Sequence, residues 1–249
     1  MVRNLRPVIF NWPGFVENCR RIEQLLKPLY PNTLVINSDV ANQCPDWINL
    51  DSEAYYTAQL KEALRHVDTE LSFFVQADCF HPDLPNIIKR SQELMTQYPM
   101  GIYAPNVDVT AYSFSKQRLK RFKSNCYHVP NPDVTCWCIE TVLLKKIEPY
   151  LDPNSNKLGW GIGMAVCAIA RENNRLIIRD YDWTVSHNSK RNYSSQDAGV
   201  QLEHFLNELP LELQTRISQL REEIKKLLRP PLLQRLLKRL CQSPIKLER

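Results

Sequence analysis

Five short stretches of this sequence carry side chains that can bind or react. Asn37-Ser38-Asp39 follows the apolar run 33–36, so its amide and carboxylate groups stand where a strand ends and can contact a ligand there. Gln76-Ala77-Asp78 follows a second apolar run, 71–75. An Ala-Asp-Cys sequence after a strand reads either as a turn or as a carboxylate open to a cation. Leu158-Gly159-Trp160-Gly161 opens a helical pattern, and its indole reads either as packing for the sheet or as a platform for a sugar ring. His187 follows the last apolar run and reads either as a surface or capping histidine or as an imidazole ligand. Cys136-Trp137-Cys138 has the look of half a zinc site, but no second Cys/His pair follows at the required spacing. These thiols read instead as small buried residues on a strand.

Such groups need a scaffold, and the hydrophobic pattern supplies one. Residues 6–10 form a short apolar run that ends in the turn cluster Asn11-Trp12-Pro13-Gly14, and residues 16–29 then place Ile22, Leu25, Leu26 and Leu29 at helical spacing. A strand at 33–36, a helix at 55–67 and a strand at 70–75 continue the rhythm. Strands separated by helices of this length imply βαβ units in an α/β fold with a mixed, mostly parallel sheet flanked by helices. The pattern then predicts a helix at 82–98, a strand at 100–104, an irregular basic region at 107–127, a strand at 134–139, a short helix at 142–149, a helix at 163–173 and a strand at 175–179. Residues 188–198 are polar enough to read as a mobile loop. From residue 211, Leu213, Ile217, Leu220, Ile224 and Leu227 recur at helical spacing. Leu232, Leu233, Leu236, Leu237 and Leu240 repeat the pattern after Pro230-Pro231.

The order and context of Asn37-Ser38-Asp39, Gln76-Ala77-Asp78, Leu158 to Gly161 and His187 resemble an A-type (GT-A) glycosyltransferase domain, similar to the inverting family-2 enzymes, over about residues 6–190. The resemblance implies a hexosyltransferase-class enzyme that moves a sugar from a UDP- or GDP-linked donor to a hydroxyl of an acceptor glycan or lipid-linked acceptor, with inversion. It implies donor contacts from Asn11, Trp12, Asn37, Asp39, Tyr55, Gln59, Gln76 and Asp78. It also implies acceptor contacts from Trp160 and Gly161, and Mn²⁺ or Mg²⁺ held by Asp78 and His187. A hard dication suits that chemistry because negative charge grows on the departing diphosphate. Two positions depart from the pattern. Gln76 stands where Asp-x-Asp has its first acid, and Gly163 stands where the general base is expected, which leaves Asp133 as the candidate base. Those departures motivate the alternative of a weakened or inactive glycosyltransferase-like binding protein. A nucleotidyltransferase would want a Gly-rich, lysine-bearing loop after the first strand, which Asn11 to Phe15 does not provide.

The chain has 249 residues, 43% hydrophobic and 24% charged with 6 Gly, which excludes collagen-like and mostly disordered classes. No apolar run is long enough to span a membrane and no leader pattern precedes the first strand, so the sequence predicts a cytoplasmic protein whose 8 cysteines are free thiols. The net charge of +5 is concentrated at one end, where residues 216–249 hold 10 Lys/Arg against 3 Glu. Leucines rather than aromatics interleave with those charges, which argues against nucleic acid. The expected organisation is a glycosyltransferase-like unit at 1–210 and a basic amphipathic tail at 211–249. That tail reads either as a peripheral element on the anionic inner face of a membrane or as leucine stripes that pack on the domain or form a dimer.

Overall fold

The structure is a computed structural model and describes residues 2–188 and 194–228. Strands Leu5–Asn11 (β1), Leu34–Asn37 (β2), Ile48–Asn49 (β3) and Leu71–Gln76 (β4) pair in parallel in the order β3-β2-β1-β4, with Val8 level with Leu34 and with Phe74. Strand β5 (Cys79–Phe80) follows at once. Met100–Val107 (β6), Arg121–Lys123 (β7), Cys126–His128 (β8), Cys136–Glu140 (β9) and Leu176–His187 (β10) complete the sheet in the order β4-β9-β6-β10-β8-β7. Strand β9 runs antiparallel between β4 and β6, β10 is parallel to β6, and β5 pairs antiparallel with the end of β10.

Both faces of the sheet are covered, which explains why its strands read as unbroken apolar runs rather than as an alternation. Val8, Phe10, Phe74 and Trp137 face helices Tyr56–His66 (α2) and Ile162–Glu172 (α5), whose Leu60, Ala63, Leu64, Ala165 and Ile169 are buried with them. Ile9, Phe73, Val75 and Cys138 face helices Val16–Leu26 (α1) and Leu84–Gln97 (α3), where Ile22, Leu26, Ile87 and Ile88 close the second core. Each Val, Leu, Ile or Phe among them contributes about 1.5–3 kcal/mol on burial.

Three expectations are corrected. The region 107–127 is not wholly irregular, because β7 and β8 form within it and β8 pairs with β10. The strand expected to stop at residue 179 continues to His187, with its pairing to β6 interrupted between Asp180 and Thr184. In the polar stretch 188–198, residues 195–198 form the first turn of a helix, Ser195–Glu208 (α6), because the Ser194 hydroxyl accepts from the Asp197 N–H and caps it.

For the first leucine stripe of the tail the structure selects packing on the domain. Helix Leu211–Leu228 (α7) buries Leu213, Ile217, Leu220 and Ile224 in the same core as α5. Arg216 pairs with Glu172 at 2.9 Å and Arg171 with Glu223 at 2.6 Å across the α5–α7 contact. This first leucine stripe is therefore not open to a lipid surface. The second, at 232–240, lies outside the described residues, as does Cys241. The other seven cysteines are free thiols. Among the described residues no helix is long and apolar enough to cross a membrane.

Candidate active site

The parallel strands deliver their carboxyl ends to one edge of the sheet. Asn11 ends β1, Asn37 ends β2, Gln76 ends β4, Val107 ends β6 and His187 ends β10. In open α/β sheets this edge is where ligands bind. The antiparallel β9 begins at the same edge, so the segment that precedes it, with Asn131 and Asp133, arrives there as well.

The residues expected to contact the donor divide into two groups. Asn11, Asn37, Asp39 and Gln59 are buried and bond mainly to one another and to nearby backbone. Asn11 Nδ2 donates to Asn37 Oδ1 at 2.7 Å, and Gln59 Nε2 donates to the Asn11 carbonyl at 2.6 Å and to Ser38 Oγ at 3.2 Å. Asn37 Nδ2 donates to Asn49 Oδ1 at 2.9 Å. Asp39 closes a turn, with Oδ1 accepting from the Ala41 N–H at 3.2 Å and Oδ2 from Asn42 Nδ2 at 2.9 Å. This network fixes the loops that follow β1 and β2. Asn11 Oδ1 and Gln59 Oε1 remain unpaired within it. Trp12, Tyr55 and Gln76 are the more open members. Trp12 meets the Phe15 ring edge-on at 5.9 Å, and the exposed Tyr55 ring lies 4.5 Å from the Lys157 ammonium.

Asp78 and His187 do come together. Strand β5 pairs with the end of β10, setting Cys79 opposite His187, and His187 Nε2 lies 3.3 Å from Asp78 Oδ2. The other ring nitrogen, Nδ1, lies 2.9 Å from the Val109 carbonyl, and the His187 N–H donates to Asp108 Oδ1 at 2.9 Å. In the neutral ring, with Nδ1–H donating to that carbonyl, Nε2 carries a lone pair that can take an electrophile; in the protonated ring Nε2–H donates to Asp78. The hydrogen bond to Asp78 raises the His187 pKa from 6.5 to about 9, assisted by the Val109 carbonyl and opposed by burial. Asp78 Oδ1 is buried and has no partner. The Cys79 thiol lies within reach of both groups, but burial holds its pKa well above the usual thiol value. A carboxylate with an orphaned oxygen beside an imidazole fits a divalent cation such as Mn²⁺ or Mg²⁺.

The three glycines of the Gly-Trp-Gly-Ile-Gly run each mark a close approach. Gly159 has φ +75° and a Cβ there would lie 2.3 Å from Tyr56 Cδ1; Gly161 has φ +92° and a Cβ would lie 2.8 Å from Phe205 Cδ1. Both need the backbone freedom of glycine as well as its missing side chain. At Gly163 a Cβ would lie 2.7 Å from Val134 Cγ1. The position expected to carry a base is thus a buried packing contact with no room for a carboxylate unless Val134 moves. Gly161 likewise abuts α6 and offers no open surface to an acceptor. Trp160 is half-buried, and its carbonyl accepts from Asn156 Nδ2 at 2.9 Å.

Asp133, next to the Val134 that meets Gly163, is a further carboxylate that the fold brings to this neighbourhood. Its Oδ1 accepts from the Thr135 N–H at 3.0 Å, and its charge helps to raise both the His187 imidazole and the Tyr112 phenol, the latter pushed up to about 12 chiefly by burial. Sequence reasoning missed Asp108, Val109 and Tyr112, which lie in an aperiodic segment where no pattern announces a role. It also passed over Cys79, whose thiol lies beside Asp78 and His187.

No protein-family model and no curated protein matches the sequence. The fold does match solved structures. The chain is similar to S. aureus TarS 1-349 in complex with UDP, with TM-score 0.59 and 14% identity over 89% of this chain and 70% of that one. It is similar to GalNAc-T7 with UDP, GalNAc and Mn²⁺, with TM-score 0.57 and 10% identity over 90% of this chain. This chain spans 55% of the GalNAc-T7 chain, little more than half its length. It is also similar to M. tuberculosis glucosyl-3-phosphoglycerate synthase in complex with Mn²⁺, UDP-glucose and phosphoglyceric acid, with TM-score 0.53 and 11% identity over 87% of this chain and 80% of that one. At these identities the likeness is one of architecture: the chain has the mixed α/β fold of the A-type glycosyltransferases.

Proposed function

We propose that this protein is a metal-dependent glycosyltransferase that moves a sugar from a nucleotide-sugar donor to an acceptor hydroxyl. The observation that carries this reading is the Asp78–His187 pair at the carboxyl edge of the sheet, with the buried Asp78 Oδ1 left without a partner. The fold supports it, since structures that share this fold hold UDP with Mn²⁺. When bound, Mn²⁺ or Mg²⁺ supplies positive charge that stabilises the departing nucleoside diphosphate. Asp78 and His187 would hold it, and the Val109 carbonyl keeps the imidazole oriented with Nε2 forward.

The Asn11–Asn37–Gln59 network holds the β1 and β2 loops in one shape, so that the nucleoside side of the cleft is preorganised. Gln76, half-buried at the end of β4, offers an amide to the donor. Trp160 lines the acceptor side beside the first turn of α5. Asp133 accepts the proton of the attacking hydroxyl. A thermal-shift panel of UDP- and GDP-sugars with and without Mn²⁺ tests the reading, because a ligand bound only by the folded state raises apparent stability. Turnover that falls at least about a hundredfold in Asp133→Asn with donor affinity kept supports the assigned base.

A second reading, donor binding without turnover, is favoured by one observation: the first turn of α5 carries no acid and Gly163 has no room for one. Saturable UDP-sugar binding with neither transfer nor donor hydrolysis would select it.

A further inference from the structure

Arg179 is fully buried in β10, at 1% exposure, yet it has no counter-ion among the described residues. Nη1 donates to the Tyr112 carbonyl at 2.6 Å, Nε and Nη2 have no partner, and the Phe114 ring lies 5.4 Å away. The neighbouring Asp180 does not serve it, because alternation along the strand turns that carboxylate to the other face, where Arg90 Nε holds it at 2.6 Å. A guanidinium cannot shed its proton to escape burial as a lysine can. Burial without a paired anion is therefore a standing cost that an incoming anion would relieve.

The position of Arg179 says which ligand could bring that anion. Tyr112 and Phe114 belong to the segment after β6, whose start is fastened to the candidate cation site through Asp108 and the Val109 carbonyl. One short segment thus touches His187 at one end and Arg179 at the other. Arg179 is level with Ala104 of β6 and Tyr127 of β8, in the half of the sheet away from β1 and β2. Four strand spacings separate β1 from β10 in the sheet order, roughly 19 Å at the usual separation. The α5 side chain Cys167 and the buried Asn131, 3.4 Å apart, stand on the same face. That half of the edge is left to the acceptor once the nucleoside occupies the β1 and β2 side.

We propose that Arg179 receives an oxyanion, a phosphate or carboxylate group, that belongs to the acceptor. This inference rests on the glycosyltransferase reading for the word acceptor, and on the orphaned guanidinium for the oxyanion. Binding requires the segment 108–114 to yield, since the Tyr112 carbonyl now occupies Nη1. The segment includes the exposed Ala111 and Ser113 and lies beyond the last paired residues of β6.

Inorganic phosphate is the probe, added to the metal-free full chain and followed by calorimetry and thermal shift, with UDP plus Mn²⁺ as a separate arm. The parent is expected to bind phosphate saturably. Arg179→Met is expected to lose that response and keep UDP–Mn²⁺ binding, and Arg179→Lys, which keeps the charge without the planar fork, to bind phosphate at least tenfold more weakly. If Arg179→Met does not fold, the Arg179→Lys comparison decides. No phosphate binding by the parent, or unchanged binding in either variant, overturns the proposal. Competition of UDP alone with phosphate overturns its acceptor part, because the oxyanion would then be the donor's. Absence of UDP–Mn²⁺ binding with the phosphate response intact overturns the glycosyltransferase reading and leaves the oxyanion site standing.

Discussion

His187 Nε2 lies 3.3 Å from Asp78 Oδ2, although the two residues are 109 positions apart in the chain. The contact exists because the two-residue β5, directly after Asp78, pairs with the last residues of β10 and sets Cys79 opposite His187. A short antiparallel addition to a mainly parallel sheet thus assembles the candidate cation site.

The first prediction concerns pH in the metal-free protein. The folded His187 pKa is raised to about 9 from 6.5, so protonation favours the folded state. The stability this pair contributes is fully present below pH 6.5 and is lost as pH rises through about 9. Urea unfolding at pH 6 and pH 10 should show a larger fall for the parent than for Asp78→Asn. Equal falls would assign the pH dependence to other groups. The same proton competes with a cation for Nε2, so Mn²⁺ affinity should rise with pH up to about 9.

Two glycine substitutions should separate backbone strain from crowding. Gly14 has φ +93° with open space around it, whereas Gly159 has φ +75° and the Tyr56 ring at 2.3 Å from a built Cβ. Gly14→Ala should cost only the left-handed penalty of about 1–2 kcal/mol. Gly159→Ala should add an overpacking cost of about 1–3 kcal/mol. Denaturant midpoints measure the difference, and equal losses would mean that Tyr56 moves aside freely.

Placing an acid at Gly163 should destabilise the protein instead of activating it. The built Cβ lies 2.7 Å from Val134 Cγ1, and an Asp side chain there is larger still. Gly163→Asp should lose about 1–3 kcal/mol, and Val134→Ala in the same chain should restore part of it. A stable Gly163→Asp protein with raised turnover would show that the site can open to admit a base.

The α7 helix should behave as core. Leu220 is 2% exposed against α5, so Leu220→Ala should cost about 2–5 kcal/mol. A loss below about 0.5 kcal/mol, typical of a surface position, would contradict the packing and return the stripe to the role of a free amphipathic face.

The sheet was legible in the sequence because β1, β4, β6 and β9 are buried on both faces, and double burial leaves unbroken apolar runs. Asp78 drew attention because it follows such a run, and His187 because it lies beyond the last strand pattern; the pairing that brings them together is seen in the structure alone. The continuation of β10 was not legible, because residues 180–187 alternate between buried Val185 and exposed Asp182, Thr184 and Ser186 as a half-covered strand does. Asp39 is ambiguous in the sequence because an Asx turn and a ligand contact demand the same residue at the same place, and the structure shows the turn. At Gly163 the sequence shows that no acid is present, but a missing side chain looks alike whether the space is vacant or, as here, filled by Val134. The amphipathic pattern of α7 identified an apolar stripe without identifying its partner, and α5 has the small residues Ala165 and Ala168 that let a helix lie close.

The most direct measurement is calorimetric binding of UDP to the parent and to Asp78→Asn, each with Mn²⁺ and with the metal chelated, alongside circular dichroism of both proteins. The parent should bind UDP in a Mn²⁺-dependent way, and Asp78→Asn should keep its fold and lose the dependence. Binding of UDP and Mn²⁺ by a folded Asp78→Asn protein at the parent's affinity would contradict the central claim that Asp78 and His187 form the cation site.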